Sequence, residues 1–261
     1  MSDNNSKTEE ATIVEIRENK VSLGSKIAVV VYCEDKNGTF PSAFTCGTCR
    51  ELWCSLKSLA LPADHLIIIH DNKWTEHIRD DIDPVLNASD PSGLFAMRKR
   101  TTVCHTGGGA GRSRAYQIGI ALALRTQAEI IAFLDGNAFP HPLWTYEIVR
   151  FFMRHRGICI TTGETIPTNQ ETCVQEYEPD SDKDDGADAE TNDIDLRNFA
   201  IVRPVAESDT FDGCNHEYST WILVHGAVQG FRTGHNPNMI VNSDREPIQT
   251  GQDRDDCDDF C

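Results

Sequence analysis

Apolar positions fall along the chain in short unbroken runs, separated by stretches with helical spacing. KIAVVVY (26–32) is a β-branched, continuously apolar run, the pattern of a strand covered on both faces. HLIIIH (65–70) repeats it and ends on Asp71-Asn72, RTTVCH (100–105) predicts a third strand, and EIIAFLD (129–135) is the clearest of all. CRELWCSLKSLA (49–60) sets Leu52, Leu56 and Leu59 at helical spacing. RSRAYQIGIALALRT (112–126) and PLWTYEIVRFFMRH (142–155) predict two more helices, and GICITTG (157–163) a further strand. Strand and helix alternate, so the expected class is α/β: a Rossmann-like, mostly parallel sheet with helices on both faces.

Ligands of such sheets sit beyond the C-terminal strand ends. The polar residues that close the runs therefore matter as a set: Cys33-Glu34-Asp35, Asp71-Asn72, His105 and Asp135-Gly136-Asn137. Past residue 163 the alternation loosens. Residues 174–197 are acidic and poor in aromatics, which predicts a surface loop. Apolar character returns at FAIVRPV (199–205) and at YSTWILVHGAVQGF (218–231), the latter readable as a core strand. Residues 1–24 read as a polar leader and 25–261 as one domain, its two halves meeting at residue 163.

Charge sharpens this picture. The net charge is −17. Residues 176–195 hold ten acids and one lysine, and the last eleven residues hold five aspartates and one arginine. Outside those two stretches the balance is unexceptional. No basic face stands out to meet phosphate backbones, which argues against nucleic acid as a partner. No apolar run approaches the roughly 20 residues that cross a bilayer, so no integral membrane segment is expected. The polar start lacks the apolar centre of a signal peptide, and a cytoplasmic protein follows. Ten cysteines then read as reduced thiols. The pairs Cys46/Cys49 and Cys257/Cys261 make a poor zinc site, since one spacing is loose.

Two motifs carry candidate chemistry. Asp135-Gly136-Asn137 offers hard oxygen donors of the kind that hold a divalent ion against a diphosphate, although Asp, Gly and Asn also suit a plain turn. HTGGGAGRSRAYQIGIALA (105–123) is a glycine-rich loop feeding a helix, able to lay backbone N–H groups against phosphate. It is not a P-loop, because no Gly-Lys-Ser/Thr follows. Arg112 and Arg114 lie in the first turn of that helix, where diphosphate pairing competes with plain solvation.

Together, GRSRAYQIGIALA and the later EIIAFLDGNAFPHP resemble family 2 glycosyltransferases of the GT-A (nucleotide-diphospho-sugar) fold. That family shows a Gly-x-x-x-Ala-(Arg or Tyr)-x-x-Gly helix, matched here by Gly111, Ala115, Tyr116 and Gly119. An apolar strand ending in Asp-x-Asp and a proline follow. The Ala-Tyr version is similar to dolichol-phosphate mannose synthases. LKSLALPADHLIIIHDNKWTEH is similar to the family's first helix and second strand, and TGQDRDDCDDFC to its Gly-Glu-Asp-x-Asp-Leu stretch.

The resemblance implies a sugar moved from a UDP- or GDP-linked donor to an acceptor hydroxyl on a glycan, lipid or protein, with inversion and Mg²⁺ or Mn²⁺ as cofactor. It places Asp71, Tyr32, Arg114 and Asp135 at the nucleotide, and Asp135 with Asn137 at the metal. Asp253 would be the catalytic base, and Trp221 and His225 would wall the acceptor pocket. Residues 25–163 would bind the nucleotide sugar and 164–261 would form the acceptor side. Three departures stand out: Asn137 where the motif ends in Asp, Gln252 where it has Glu, and an end at Cys261 where family members continue. They support a rival expectation, a GT-A module that binds sugar nucleotide without turnover. A sugar-nucleotide nucleotidyltransferase is a more distant alternative. Its Gly-Gly-x-Gly-x-Arg loop follows the first strand, whereas here the loop lies past residue 105.

Overall fold

The computed structural model describes residues 16–34, 52, 55–56, 58–71, 100–167, 191, 194–208 and 218–243. Eight strands form one sheet: β1 (Ile27–Glu34), β2 (His65–Asp71), β3 (Thr101–His105), β4 (Ile130–Asp135), β5 (Ala138–Pro140), β6 (Ile158–Pro167), β7 (Asn198–Val202) and β8 (Arg232–Ser243). Among the described residues, the helices with both ends defined are α1 (Gly111–Ala123), α2 (Trp144–Arg154), α3 (Arg203–Ala206) and α4 (Tyr218–Val228). The strand order is β3-β2-β1-β4-β7-β6-β8-β5.

The predicted half is as expected. β3, β2, β1 and β4 run parallel; the apolar runs of β1, β2 and β4 are buried through most of their length, whereas β3, at the sheet edge, is only partly covered. The other half departs from a mostly parallel sheet. β7 enters antiparallel between β4 and β6, and β5 pairs antiparallel with β8. The sheet is therefore mixed. β5 directly follows the Asp135 turn, in a stretch where the apolar pattern predicted no strand. Pro140 is accommodated because β5 is an edge strand, where a missing N–H breaks no central ladder.

α1 sits close on the parallel half because its inner stripe is small. Ala115, Gly119 and Ala123, four residues apart, are all buried. A Cβ on Gly119 would lie 2.4 Å from Val30 Cγ1, so the helix rides against β1 at glycine distance. Tyr116 fills the remaining space, edge-on to Phe133 and Phe199, which stack at 4.3 Å. Burial pushes its phenol well above the usual tyrosine range, so the hydroxyl stays a donor, to Leu196 O at 2.5 Å. Beyond the other end of α1, Arg203 donates to the carbonyl of the C-cap Leu124 and to those of Thr126 and Ala128 in the turn that leads to β4.

Residues 218–228 form a helix rather than a core strand. Their near-continuous apolarity cannot distinguish the two by periodicity, and the run exceeds ordinary strand length. Residues 52, 55 and 56 are helical, and Leu52, Leu56 and Leu59 are buried as their spacing predicts. The acidic stretch 174–197 lies largely outside the described residues.

Candidate functional site

Two parallel strands separated by β1 end on buried carboxylates, Asp71 and Asp135. Their register partners on β1 are Glu34 and Tyr32, two residues apart, so both side chains leave the same face of the sheet. Both close on the start of α1. Asp71 Oδ2 accepts the Gly111 N–H at 2.8 Å, and Asp135 Oδ2 accepts from Arg112 Nη2 at 2.9 Å.

Asp71 also accepts the Ala110 N–H at 3.1 Å and the Thr106 hydroxyl. The first turn of α1 has no acid of its own, and Ala110 at its N-cap has no capping side chain. Asp71 does both jobs from the neighbouring strand: it satisfies two open N–H groups and sets a negative charge at the positive helix end. Its carboxylate thereby holds the glycine loop in place. Gly107, Gly108, Gly109 and Gly111 all have φ between 70° and 88°, a region that side chains disfavour. A Cβ added at Gly107, Gly109 or Gly111 would meet nothing within 4 Å. Glycine is needed there for backbone shape rather than for want of room beside the chain. Asp71→Ala is expected to lower stability by about 2–4 kcal/mol, since hydrogen bonds to a charged group contribute roughly 1.5–3 kcal/mol each and not all are lost independently. Chemical denaturation of the variant measures this, and an unchanged midpoint would refute the anchoring role.

Asp135 is held on every side. Its Oδ1 accepts from the Asn137 backbone N–H at 2.9 Å and from Asn137 Nδ2 at 3.2 Å, and its own N–H donates to Arg197 O. The glycine between them has a physical reason. Gly136 N–H donates to Tyr32 O at 2.7 Å, and a Cβ there would stand 2.9 Å from that oxygen and 3.0 Å from Cys33 Sγ. The turn is pressed against the end of β1, with no room for a side chain. Behind it, Arg197 is buried and pairs with Asp195 through two nitrogens, and Asp195 also accepts from Thr165 Oγ1.

The sequence-predicted residues thus divide. Tyr32, Asp71, Asp135 and Asn137 converge at one rim. Tyr32 is buried there, its ring 5.7 Å from the Arg112 guanidinium and edge-on to Tyr116. Arg114 stays outside the cluster, exposed and bonded to Gln117. The inward arginine is Arg112. It precedes the buried Tyr116 by four positions and so shares its helix face, whereas Arg114 is rotated away. That spacing was the available signal. Thr106 and the coupling of Asp71 to the loop carried no local signal, because the partners lie 35 to 40 residues apart. His225 is half-buried in the last turn of α4, which packs on β8. Trp221 belongs to α4, with its side chain outside the described residues, and Asp253 lies wholly outside them.

Among the described residues no group of three or more His, Cys, Asp or Glu could hold a metal ion. An all-protein cage is therefore not formed from them. The donor set at the Asp135 turn fits a shared site instead, one carboxylate with the remaining oxygens supplied by phosphate and water, as Mg²⁺ readily accepts.

The fold has solved counterparts. The mannosyltransferase PcManGT from Pyrobaculum calidifontis, in complex with GDP-Man and Mn²⁺, is similar with a TM-score of 0.56 at 12% identity, over 87% of this chain and 59% of that one. GalNAc-T7 with UDP, GalNAc and Mn²⁺ is similar with a TM-score of 0.57 at 14% identity, over 87% and 44%. S. aureus TarS 1–349 in complex with UDP is similar with a TM-score of 0.53 at 10% identity, over 84% and 60%. At these identities the likeness is one of fold, and it is consistent with a GT-A-like architecture. The chain spans between 44% and 60% of the length of these structures. No family model and no curated protein matches the sequence. Among the described residues no helix is long and apolar enough to cross a membrane.

Proposed function

We propose that the protein is a glycosyltransferase that takes a UDP- or GDP-linked sugar at the rim formed by β1, β2, β4 and the glycine loop. One observation carries this reading: Asp71 and Asp135 leave the same sheet face and close on consecutive residues of a helix that opens from a glycine-rich loop. Support comes from the fold shared with PcManGT and GalNAc-T7, whose structures hold GDP-Man or UDP together with Mn²⁺. The expected motif order of family 2 members, with a helix like that of dolichol-phosphate mannose synthases, supports it from the sequence side.

In this reading the diphosphate lies against the backbone of the glycine loop, and Asp71 keeps the loop in shape. Asp135, with Asn137 beside it, would hold Mg²⁺ or Mn²⁺, which supplies positive charge to the departing nucleoside diphosphate. The acceptor hydroxyl attacks the anomeric carbon from the face opposite the leaving group. Its O–H proton passes to a base, for which Asp253 is the candidate, as the bond from carbon to diphosphate oxygen breaks with its electron pair. Residues of the 164–261 half, including Trp221 and His225 of α4, would meet the acceptor.

Thermal unfolding tests the donor site. A ligand at a hundred times its Kd adds about 2.7 kcal/mol to the native state, which for a chain of this size raises Tm by roughly 5–10 °C. UDP- or GDP-sugars are expected to produce such a shift, larger with Mn²⁺ than without. No shift with any of them would sink the assignment. A shift without release of UDP or GDP on long incubation would favour the second reading, a binding module without turnover, to which the Arg112–Asp135 pairing lends some support.

A further inference from the structure

We infer that Arg112 is the resident cation of the Asp135 carboxylate, and that donor binding exchanges it: the guanidinium passes to the diphosphate and vacates the oxygen that the divalent ion takes. This rests on the transferase reading above and adds to it an order of events and a residue.

The exchange follows from how the two Asp135 oxygens are occupied. Oδ1 is held by the N–H of Asn137 and by its amide nitrogen, both in the same turn. That turn cannot open easily, because Gly136 is bonded to Tyr32 O and packed against Cys33. Oδ2 is held by Arg112 alone among the bonds just described, at 2.9 Å, with the two side chains 13% and 4% exposed. A cation entering here must displace Arg112 rather than Asn137. So little water reaches the pair that its attraction is weakly screened, and a lone metal ion has to compete with it.

Arg112 has somewhere to go. It stands in the first turn of α1, directly after the glycine loop, where a Cβ at the neighbouring Gly111 would meet nothing within 4 Å. Its planar fork can pair with a diphosphate through two nitrogens, a stronger partner than one carboxylate oxygen. The Tyr32 ring 5.7 Å away gives the guanidinium a flat surface to slide across. Donor and metal therefore favour each other without touching first: each removes one half of an ion pair that opposes the other, and the coupling is reciprocal.

The test is a Mn²⁺ titration of the full chain, without nucleotide, followed by the electron paramagnetic resonance of free Mn²⁺. Arg112→Gln is expected to bind Mn²⁺ at least tenfold more tightly than wild type. The gain must disappear in the Arg112→Gln/Asp135→Asn double variant. Equal Mn²⁺ affinity in wild type and Arg112→Gln overturns the inference, as does a gain that survives the double substitution, which would place it on the acidic surface. Arg112→Lys keeps the charge but loses the fork. It is expected to show a smaller gain in the same direction and carries the comparison should the glutamine variant fail to fold. A parallel titration with UDP and GDP separates the two readings. Absence of nucleotide binding in every variant would remove the transferase assignment, while the Mn²⁺ comparison would still decide whether Arg112 guards Asp135.

Discussion

Asp135→Ala is expected to abolish metal-dependent release of UDP or GDP from the donor sugar, a loss on the order of 10²–10⁴-fold, the effect of removing several kcal/mol of charge stabilisation from the departing group. The substitution removes the carboxylate that anchors the Asn137 turn, and it leaves Arg112 without that partner. Stability therefore falls as well, because breaking a largely buried pair by deleting one member costs about 3–5 kcal/mol at full burial and less where water reaches the arginine. Asp135→Asn separates the two effects. Its single amide oxygen can still accept from the Asn137 N–H, whereas its Nδ2 replaces the oxygen that faced Arg112; the turn is kept, the ion pair is lost, and stability should fall less than in Asp135→Ala while release still fails. The measurement is nucleotide release in Mn²⁺ beside a denaturation curve for both variants. Release by Asp135→Asn at the wild-type rate would remove the metal role from this residue.

A second large effect on stability is expected away from the rim, at Gly163. A Cβ there would sit 1.9 Å from Met239 O and 2.6 Å from Asn198 Nδ2. The cause is an irregularity in the β6–β8 pair, whose register jumps from Gly163 opposite Asn236 to Glu164 opposite Ile240. The extra residues of β8 fold over Gly163. Asn198 closes the gap, donating to Glu164 O at 2.9 Å and Met239 O at 2.7 Å and accepting from Trp144 Nε1 at 2.8 Å. A methyl group meets backbone rather than a side chain that could rotate. Gly163→Ala is expected to cost about 3 kcal/mol, the upper end for overpacking. That corresponds to a fall in Tm of roughly 6–12 °C. Gly157→Ala is the control, since its nearest neighbour is a flexible arginine tip at 3.4 Å. Similar midpoints for the two variants would show that the β8 irregularity can relax.

These two sites differ in how far the chain alone announces them. Asp135 could be singled out because a continuous apolar run stops on it, and a parallel strand that is buried on both faces has only its end free for polar work. The same logic located Asp71, and helical spacing placed a helix at 112–126 where the structure has one at Gly111–Ala123. Gly163 gave no such notice. Its importance comes from Met239 and Asn198, which reach it across strands that are far apart in sequence. Arg112 lies between these cases. Its helical spacing from Tyr116 was legible, but its pairing with Asp135 required knowing that β4 lies beside β1 under the same helix.

By itself, then, the order of apolar runs and helical spacings determined an α/β chain with carboxylates at two strand ends and a glycine loop before a helix, because burial period and backbone conformation are local properties. Only the tertiary structure decided that β7 enters antiparallel and that residues 218–228 coil into a helix. It alone decided that Asp71 is committed to the loop and that Asp135 is committed to Arg112. Each of these depends on which surfaces meet across tens of residues, and a hydrogen bond or ion pair at that separation leaves no periodic trace in the chain.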